Sequence, residues 1–171
     1  MNKPTSLLQH PILSRVRRNH GLEHASIHVL SSKHPGKSIA GHSDPRGFWL
    51  LGDLETEQVR EGVQQALTRM RNGEHKLAVH PNCGTNFVTS GIAAGLVAAL
   101  AMFGAHKWRD KLSRIPLAMS LATLALIVTH PLGFIIQERV TTSGYPEDME
   151  IVEVIPTRQG RFKAHRIVTR G

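Results

Sequence analysis

Two long stretches without a charged side chain constrain this protein more than any other feature of its sequence. Residues 87–105 and 115–136 are 19 and 22 residues long, and neither contains Asp, Glu, Lys or Arg. At 1.5 Å per residue, the shorter stretch forms a helix of about 28 Å, the thickness of a bilayer core. A chain of 171 residues has too little remaining sequence to surround two such helices as a buried core. We therefore predict a two-span transmembrane hairpin.

The polar segments on either side of the hairpin predict a small α/β domain and a closing pair of strands. We expect residues 1–86 to form a histidine-rich α/β domain, residues 87–136 the hairpin, and residues 137–171 a C-terminal strand pair packed on the first domain. Apolar periodicity and turn residues place the elements. They are helices at 12–32 and 56–71, the second capped by Thr56, and strands at 37–42, 47–52, 76–79, 150–155 and 162–169. The predicted fold class is an α+β membrane protein with a C-terminal β-hairpin, its polar parts on one membrane face.

Charge gives two opposing indications of how the hairpin is oriented. The connection at residues 106–114 has four Lys or Arg in nine residues, and the positive-inside rule places such a loop in the cytoplasm. Both termini would then lie outside, and residues 1–86, with 11 basic side chains, would have to cross the membrane. We predict instead that both termini lie on the cytoplasmic side of a bacterial inner membrane.

Composition favours membrane lipid over nucleic acid as a partner. The formal charge of +8 fits either, but aromatic residues make up only 5% of the chain and no nucleic-acid-binding motif is present. Near the N-terminus, apolar residues at helical spacing stand beside three arginines. These residues are Leu8, Ile12, Leu13 and Val16 with Arg15, Arg17 and Arg18. The pattern is typical of a helix lying on lipid headgroups, and equally of an amphipathic helix packed on its own domain.

The two spans carry small residues and a proline with structural consequences. Gly91 and Gly95 lie four residues apart in the first span, which allows another helix to approach closely. That helix is either the second span, within the hairpin, or part of a second copy or a larger membrane complex. Pro131 lies near the end of the second span, where it predicts a bend or the end of the helix.

Histidines at helical spacing are the first candidate for chemistry. His20, His24 and His28 recur every four residues, so a helix places them on one face. The segment His20-Gly-Leu-Glu23-His24 matches the H-x-x-E-H pattern of inverted zincins. Two imidazoles one turn apart can hold one metal ion, and Glu23 can then act as general base toward a metal-bound water. The alternative is a solvated polar helix face.

A second group of candidate ligands precedes the first span. His80 and Cys83 lie three residues apart in a loop, close enough to reach one metal ion. With His20 and His24 they make a four-ligand set of the nitrogen and sulfur type that zinc prefers. A closed set of four indicates a structural site, whereas a catalytic site uses three ligands and leaves one position for water. Otherwise Cys83 is a small buried residue and His80 bonds the loop backbone.

At these residues the chain resembles a known family. The segments 19–24 and 80–85, reading Asn-His-Gly-Leu-Glu-His and His-Pro-Asn-Cys-Gly-Thr, are similar to paired signatures of bacterial YqhQ-like membrane proteins, which are predicted metal-dependent enzymes. The chain also looks like a smaller uncharacterised family, a domain of unknown function. The resemblance covers roughly residues 15 to 155. It implies that one site contains His20, Glu23, His24, His80 and Cys83. The chain departs from the YqhQ-like pattern between the two motifs and in its C-terminal strands.

These observations predict a membrane-bound metal protein with one of two roles. The first is a zinc-dependent hydrolase, peptidase-like, which acts at the membrane surface with Glu23 as its general base. The alternative is a non-catalytic accessory or assembly subunit of a larger membrane complex, in which the metal clamps the N-terminal helix to the loop before the first span. A third possibility is a basic surface module that binds anionic lipid.

Overall fold

The computed structural model describes residue 8 and residues 10–160 and 162–171. The chain divides into two compact units. Unit 1 comprises Met1–His80 and Glu138–Gly171, and unit 2 comprises Pro81–Gln137. The polar segments before and after the apolar hairpin thus meet in one body, although the hairpin separates them in sequence.

Unit 1 combines helices with an antiparallel sheet. Its elements are α1 (Pro11–Lys33), β1 (Ala40–Asp44), β2 (Gly47–Leu51), α2 (Thr56–Arg71), a 3₁₀ turn (His75–Ala78), β3 (Glu150–Gln159) and β4 (Phe162–Arg170). The strand order is β1-β2-β4-β3, and every neighbouring pair is antiparallel. This mixed arrangement confirms the predicted α+β class. Since β4 pairs with β2, the two hairpins form one continuous sheet.

The core of unit 1 lies where α1 and α2 pack on each other and on the sheet. The side chains that close it are fully or almost fully buried. They include Leu22 and Leu30 of α1, Phe48 of β2, Val63 of α2 and Ile167 of β4. Burial of each large apolar side chain stabilises the fold by about 1.5–3 kcal/mol. This core holds α1 at the centre of the unit, where its polar face can meet several other segments.

Three local predictions for unit 1 differ from the structure. The strand predicted at 76–79 is wrong, because the segment forms the 3₁₀ turn and offers carbonyl groups to α1 rather than to a strand. The cap of α2 is Glu55 rather than Thr56, in a capping box with Gln58. Strand β3 was predicted to end at residue 155, but it continues through Pro156 to Gln159. An edge strand tolerates a proline because the missing N–H group faces no neighbouring strand.

Unit 2 contains two long apolar helices. Helix α3 spans Gly84–Ala101 and α4 spans Trp108–Ile136, followed by a π-helical turn at Gln137–Thr141. Helix α4 begins earlier than predicted because the basic residues after Lys107 already form its first turns, with Asp110 near its positive end. At Pro131 we predicted a bend or the end of the helix, and of these two the end is wrong. The helix continues to Ile136, since a proline removes only one hydrogen bond and long apolar helices tolerate it.

Both helices of unit 2 are long and apolar enough to cross a membrane. Only 11% of the residues in the most apolar window of each helix are buried within the structure. Helix α3 turns Asn86, Ser90 and Ala94 inward, at four-residue spacing. Gly91 and Gly95 do not pack on α4, because a Cβ atom at either position would meet nothing within 4 Å. These two glycines therefore do not contribute to the packing of α3 on α4.

A glycine fixes how closely α1 approaches the segment that follows the π-helical turn. A Cβ atom on Gly21 would lie 2.0 Å from the carbonyl oxygen of Ser143, which is backbone and cannot rotate away. We expect Gly21→Ala to destabilise unit 1 by about 1–3 kcal/mol, the usual cost of overpacking, measured as a lower midpoint of thermal unfolding. The matched control is Gly84→Ala, also helical, whose Cβ atom would meet nothing within 4 Å. Equal midpoints for the two variants would contradict the contact.

Candidate metal centre

The histidine face of α1 is tied to backbone carbonyl groups of other segments. His20, His24 and His28 each bring one ring nitrogen within hydrogen-bond distance of such a carbonyl. The bonds are His20 Nδ1 to Thr141 O (2.9 Å), His24 Nδ1 to Ala78 O (2.8 Å) and His28 Nε2 to Val79 O (2.9 Å). The predicted alternative of a solvated helix face is therefore wrong.

These bonds determine which ring nitrogen carries the proton. A carbonyl oxygen only accepts, so the ring nitrogen facing it must donate. In the neutral ring the other nitrogen then holds a lone pair, which is Nε2 in His20 and His24 and Nδ1 in His28. Metal-binding histidines commonly have this arrangement, in which one ring N–H group donates to a carbonyl and the other nitrogen binds the metal.

A fourth histidine of the same unit joins this face. The His80 ring lies 5.6 Å from the His24 ring and 4.8 Å from the His28 ring, measured between centroids. The His20 and His24 rings are 4.4 Å apart, and each offers a nitrogen within 4.8 Å of the other. His20 and His24 could thus hold one metal ion together. The structure brings three predicted ligands, His20, His24 and His80, into one cluster.

Burial favours the neutral, metal-binding form of His80. The pKa of its imidazole is lowered, first because burial disfavours the charged ring and second because of the neighbouring His28. Only a neutral imidazole has a lone pair for a metal ion. His28 was not among the predicted ligands, although its spacing four residues after His24 was a signal for it. Its contact with His80 depends on the tertiary structure.

Glu23 and Cys83 are the two other predicted site residues. Glu23 is 3% exposed and faces β1, where a Cβ atom on Gly41 would be 2.7 Å from Glu23 Oε1. On the helix it is turned about 100° from His24. Cys83 belongs to unit 2, where it is buried and directly precedes α3. Whether Glu23 is a general base and Cys83 a ligand stays a prediction.

The arginines near the start of α1 form hydrogen bonds and ion pairs within unit 1. Arg15 donates to the Thr169 carbonyl at 2.9 Å, and Arg17 donates to the Thr142 carbonyl at 3.0 Å. Arg18 is largely buried and forms ion pairs with Glu147 at 2.8 Å and Asp148 at 2.9 Å. Their engagement favours the interpretation of α1 as a packed helix over that of a helix on lipid headgroups.

Fold and site together define an α+β protein with a histidine cluster on a central helix and two apolar helices of membrane-spanning length. The chain belongs to the family DUF6391, a domain of unknown function, which matches residues 15–154. An uncharacterized protein of a Picosynechococcus species is 30% identical over 152 residues, which cover 81% of this chain and 71% of that protein. No solved structure matches the chain.

These comparisons confirm that the chain belongs to an uncharacterised family. The resemblance to YqhQ-like proteins, and the assignment of the two motifs to one shared site, stay predictions. Neither the family's description nor the relative's name gives an activity. Arguments about function therefore rest on the site itself.

The hydrogen bonds of the cluster predict its tautomers. At pH 8, where imidazoles are ordinarily neutral, we expect metal-free protein to show Nδ1–H tautomers for His20 and His24 and the Nε2–H tautomer for His28. The measurement is a long-range ¹H–¹⁵N NMR spectrum, assigned with single His→Gln variants. His75, whose Nδ1 faces the Gly144 carbonyl at 2.8 Å, serves as a reference for the Nδ1–H form. Mixed tautomers at His20 and His24 would contradict the geometry.

Proposed function

We propose that this protein is a membrane-anchored metal protein whose cluster holds zinc as a structural clamp. The main observation that supports this proposal is that His20 and His24 each donate a hydrogen bond from Nδ1 to a backbone carbonyl outside α1. In the neutral rings both Nε2 atoms then have lone pairs, and the two side chains are one helical turn apart. This oriented pair is what a metal ion needs from a helix.

The donor set argues for zinc and for a closed site. His80 adds a third imidazole, and Cys83 follows it by three residues, which span at most about 11 Å of chain. We infer that Cys83 is the fourth ligand. Three imidazoles and a thiolate form a tetrahedral set that suits zinc and leaves no position for a reacting water.

A clamp also fits the chain segments that meet at the cluster. His20 and His24 come from α1, His80 follows the 3₁₀ turn, and the carbonyl of Thr141 lies at the start of the returning chain. A zinc ion would crosslink α1 to the segment that enters α3. This role corresponds to the accessory or assembly subunit of a larger membrane complex.

A zinc hydrolase is the second candidate, and one observation favours it. Glu23 is a buried carboxyl group directly beside His24 in sequence, within the H-x-x-E-H pattern. If Cys83 is not a ligand, three histidines leave one zinc position for water, which Glu23 would deprotonate. The contact of Glu23 with β1 makes the clamp the better-supported candidate, since a general base must reach the metal-bound water.

Elemental analysis of purified protein tests the metal site. We expect about one zinc per chain, lost in the His20→Ala/His24→Ala double variant and retained in His34→Ala, which removes a histidine at the end of α1. The midpoint of thermal unfolding should fall in the double variant and in chelator-treated protein, because the clamp stabilises the fold. Wild-type protein without metal, never exposed to chelator, would contradict both candidates.

Two further variants separate the clamp from the hydrolase in the same preparations. Cys83→Ser should lower zinc content if Cys83 closes the site, and should leave it unchanged if three histidines suffice. Glu23→Gln should keep its zinc in either case. It would abolish hydrolysis of peptide or ester substrates only if Glu23 is the general base.

We further propose that α3 and α4 cross the bacterial inner membrane as a hairpin, with unit 1 and both termini in the cytoplasm. Support comes from the length of the helices, their exposed apolar side chains and the six-residue connection at 102–107. Membrane lipid is then a partner. The open stripe of Gly91 and Gly95 is the surface we expect to meet a helix of a second copy or of a larger complex.

Reporter fusions test this topology. A fluorescent protein fused after Gly171 should mature, and alkaline phosphatase fused there should stay inactive, because it folds only outside the cytoplasm. Phosphatase inserted at Gly104, in the connection between α3 and α4, should be active. The reverse pattern would place unit 1 outside the cytoplasm, in agreement with the basic charge of residues 106–114.

A further inference from the structure

Unit 1 has a surface pocket beside the histidine cluster. Its volume is about 620 Å³, and its walls come from α1, from the segment at 73–79 and from Glu138. The residue of α1 that lines the pocket is His28, whose ring also lies 4.8 Å from the His80 ring, measured between centroids. His28 therefore connects the pocket to the cluster.

The His28 ring has one nitrogen that the fold does not use. Its Nε2 donates to the Val79 carbonyl at 2.9 Å, so in the neutral ring the lone pair is on Nδ1. Among the residues that the structure describes, Nδ1 has no hydrogen-bond partner. An imidazole held by a carbonyl through one nitrogen is prepared to bind a metal ion through the other. His28 thus offers a metal ligand at the wall of a surface pocket.

His80 contacts His28 on one side of the cluster and His24 on the other. The distances between ring centroids are 4.8 Å to His28 and 5.6 Å to His24. Two imidazoles bound tetrahedrally to one zinc ion have centroids about 5 Å apart, because each Zn–N bond is about 2 Å long. Both separations are close to this value, so His80 can share a zinc ion with either partner.

We propose that zinc enters through this pocket and that His28 and His80 form a transfer site on its way. A hydrated zinc ion first exchanges one water for Nδ1 of His28 and a second water for His80. His24 and His20 then replace His28 and the remaining waters, while His80 stays bound. Each step exchanges one ligand for another, so the metal keeps its charge. This inference rests on the proposed zinc site.

Rapid mixing of the metal-free, detergent-purified full chain with cobalt(II) tests the transfer site. Cobalt(II) takes the place of zinc and absorbs strongly in visible light only when its ligands are tetrahedral, so the absorbance follows arrival at the permanent ligands. We expect His28→Gln to load about tenfold more slowly, the lower end of what loss of a group beside a metal costs, and to reach the same final absorbance. The glutamine amide can still donate to the Val79 carbonyl. His34→Gln, which removes a histidine at the end of α1 outside the pocket, should load like wild-type protein.

Two charged side chains of the pocket test the route itself. Glu138 and Lys76 are both exposed and line the pocket, and neither forms an ion pair within the part of the chain that the structure describes. A carboxylate attracts an approaching cation and an ammonium group repels it. Glu138→Gln should therefore slow loading and Lys76→Gln should accelerate it, with both effects smaller at high salt. Unchanged rates in both variants would place the entry outside this pocket.

The remaining outcomes separate the route from the site. Equal loading rates in wild-type and His28→Gln protein would overturn the transfer site. A lower final metal content in His28→Gln would also overturn it, because His28 would then be a permanent ligand. The zinc content of wild-type protein purified without chelator is the separate check. One zinc per chain with unchanged loading in His28→Gln contradicts only the transfer site, whereas wild-type protein without metal contradicts the zinc site itself.

Discussion

The hydrogen bonds between side chains of α1 and backbone carbonyls of distant segments are the interaction on which unit 1 depends. Buried carbonyl groups need donors, and the carbonyls of Ala78, Val79 and Thr141 find theirs in three histidines of one helix. Because those donors come from α1, the segment at 75–80 does not need a neighbouring strand. The same helix uses Arg15 and Arg17 to hold the returning chain. Helix α1 therefore organises the polar unit around itself.

This role connects the fold to the proposed metal site. A histidine that donates from Nδ1 has its ring orientation fixed and its Nε2 lone pair aimed away from the carbonyl. The bonds that satisfy the buried backbone are thus also the bonds that prepare His20 and His24 for a metal. Gly21 contributes by allowing the helix to lie against Ser143, near the carbonyl that His20 uses. Stability and metal binding should consequently change together in most variants of this face.

Unit 2 follows a different physical rule, since its two helices expose mainly apolar side chains, and the polar groups of Asn86, Ser90 and Gln137 are buried. Gln137 donates to Asn86 at 3.0 Å in a buried position, and Gly133 allows Asn86 to approach α4. Asn86, Ser90 and Ala94 recur every four residues along the contact. In hydrocarbon, small and hydrogen-bonding residues hold helices together because apolar burial offers little advantage there.

The sequence alone determined the features that depend on local periodicity. The two charge-free stretches predicted α3 and α4, the four-residue spacing predicted the histidine face of α1, and apolar alternation predicted most strands. Tertiary structure decided what depends on distant partners. Thr141 lies 121 residues after His20 in the sequence, and β4 pairs with β2 although the whole hairpin separates the two strands in sequence. The tautomers, the 3₁₀ turn and the contact of His28 with His80 follow from such contacts, which no local pattern encodes.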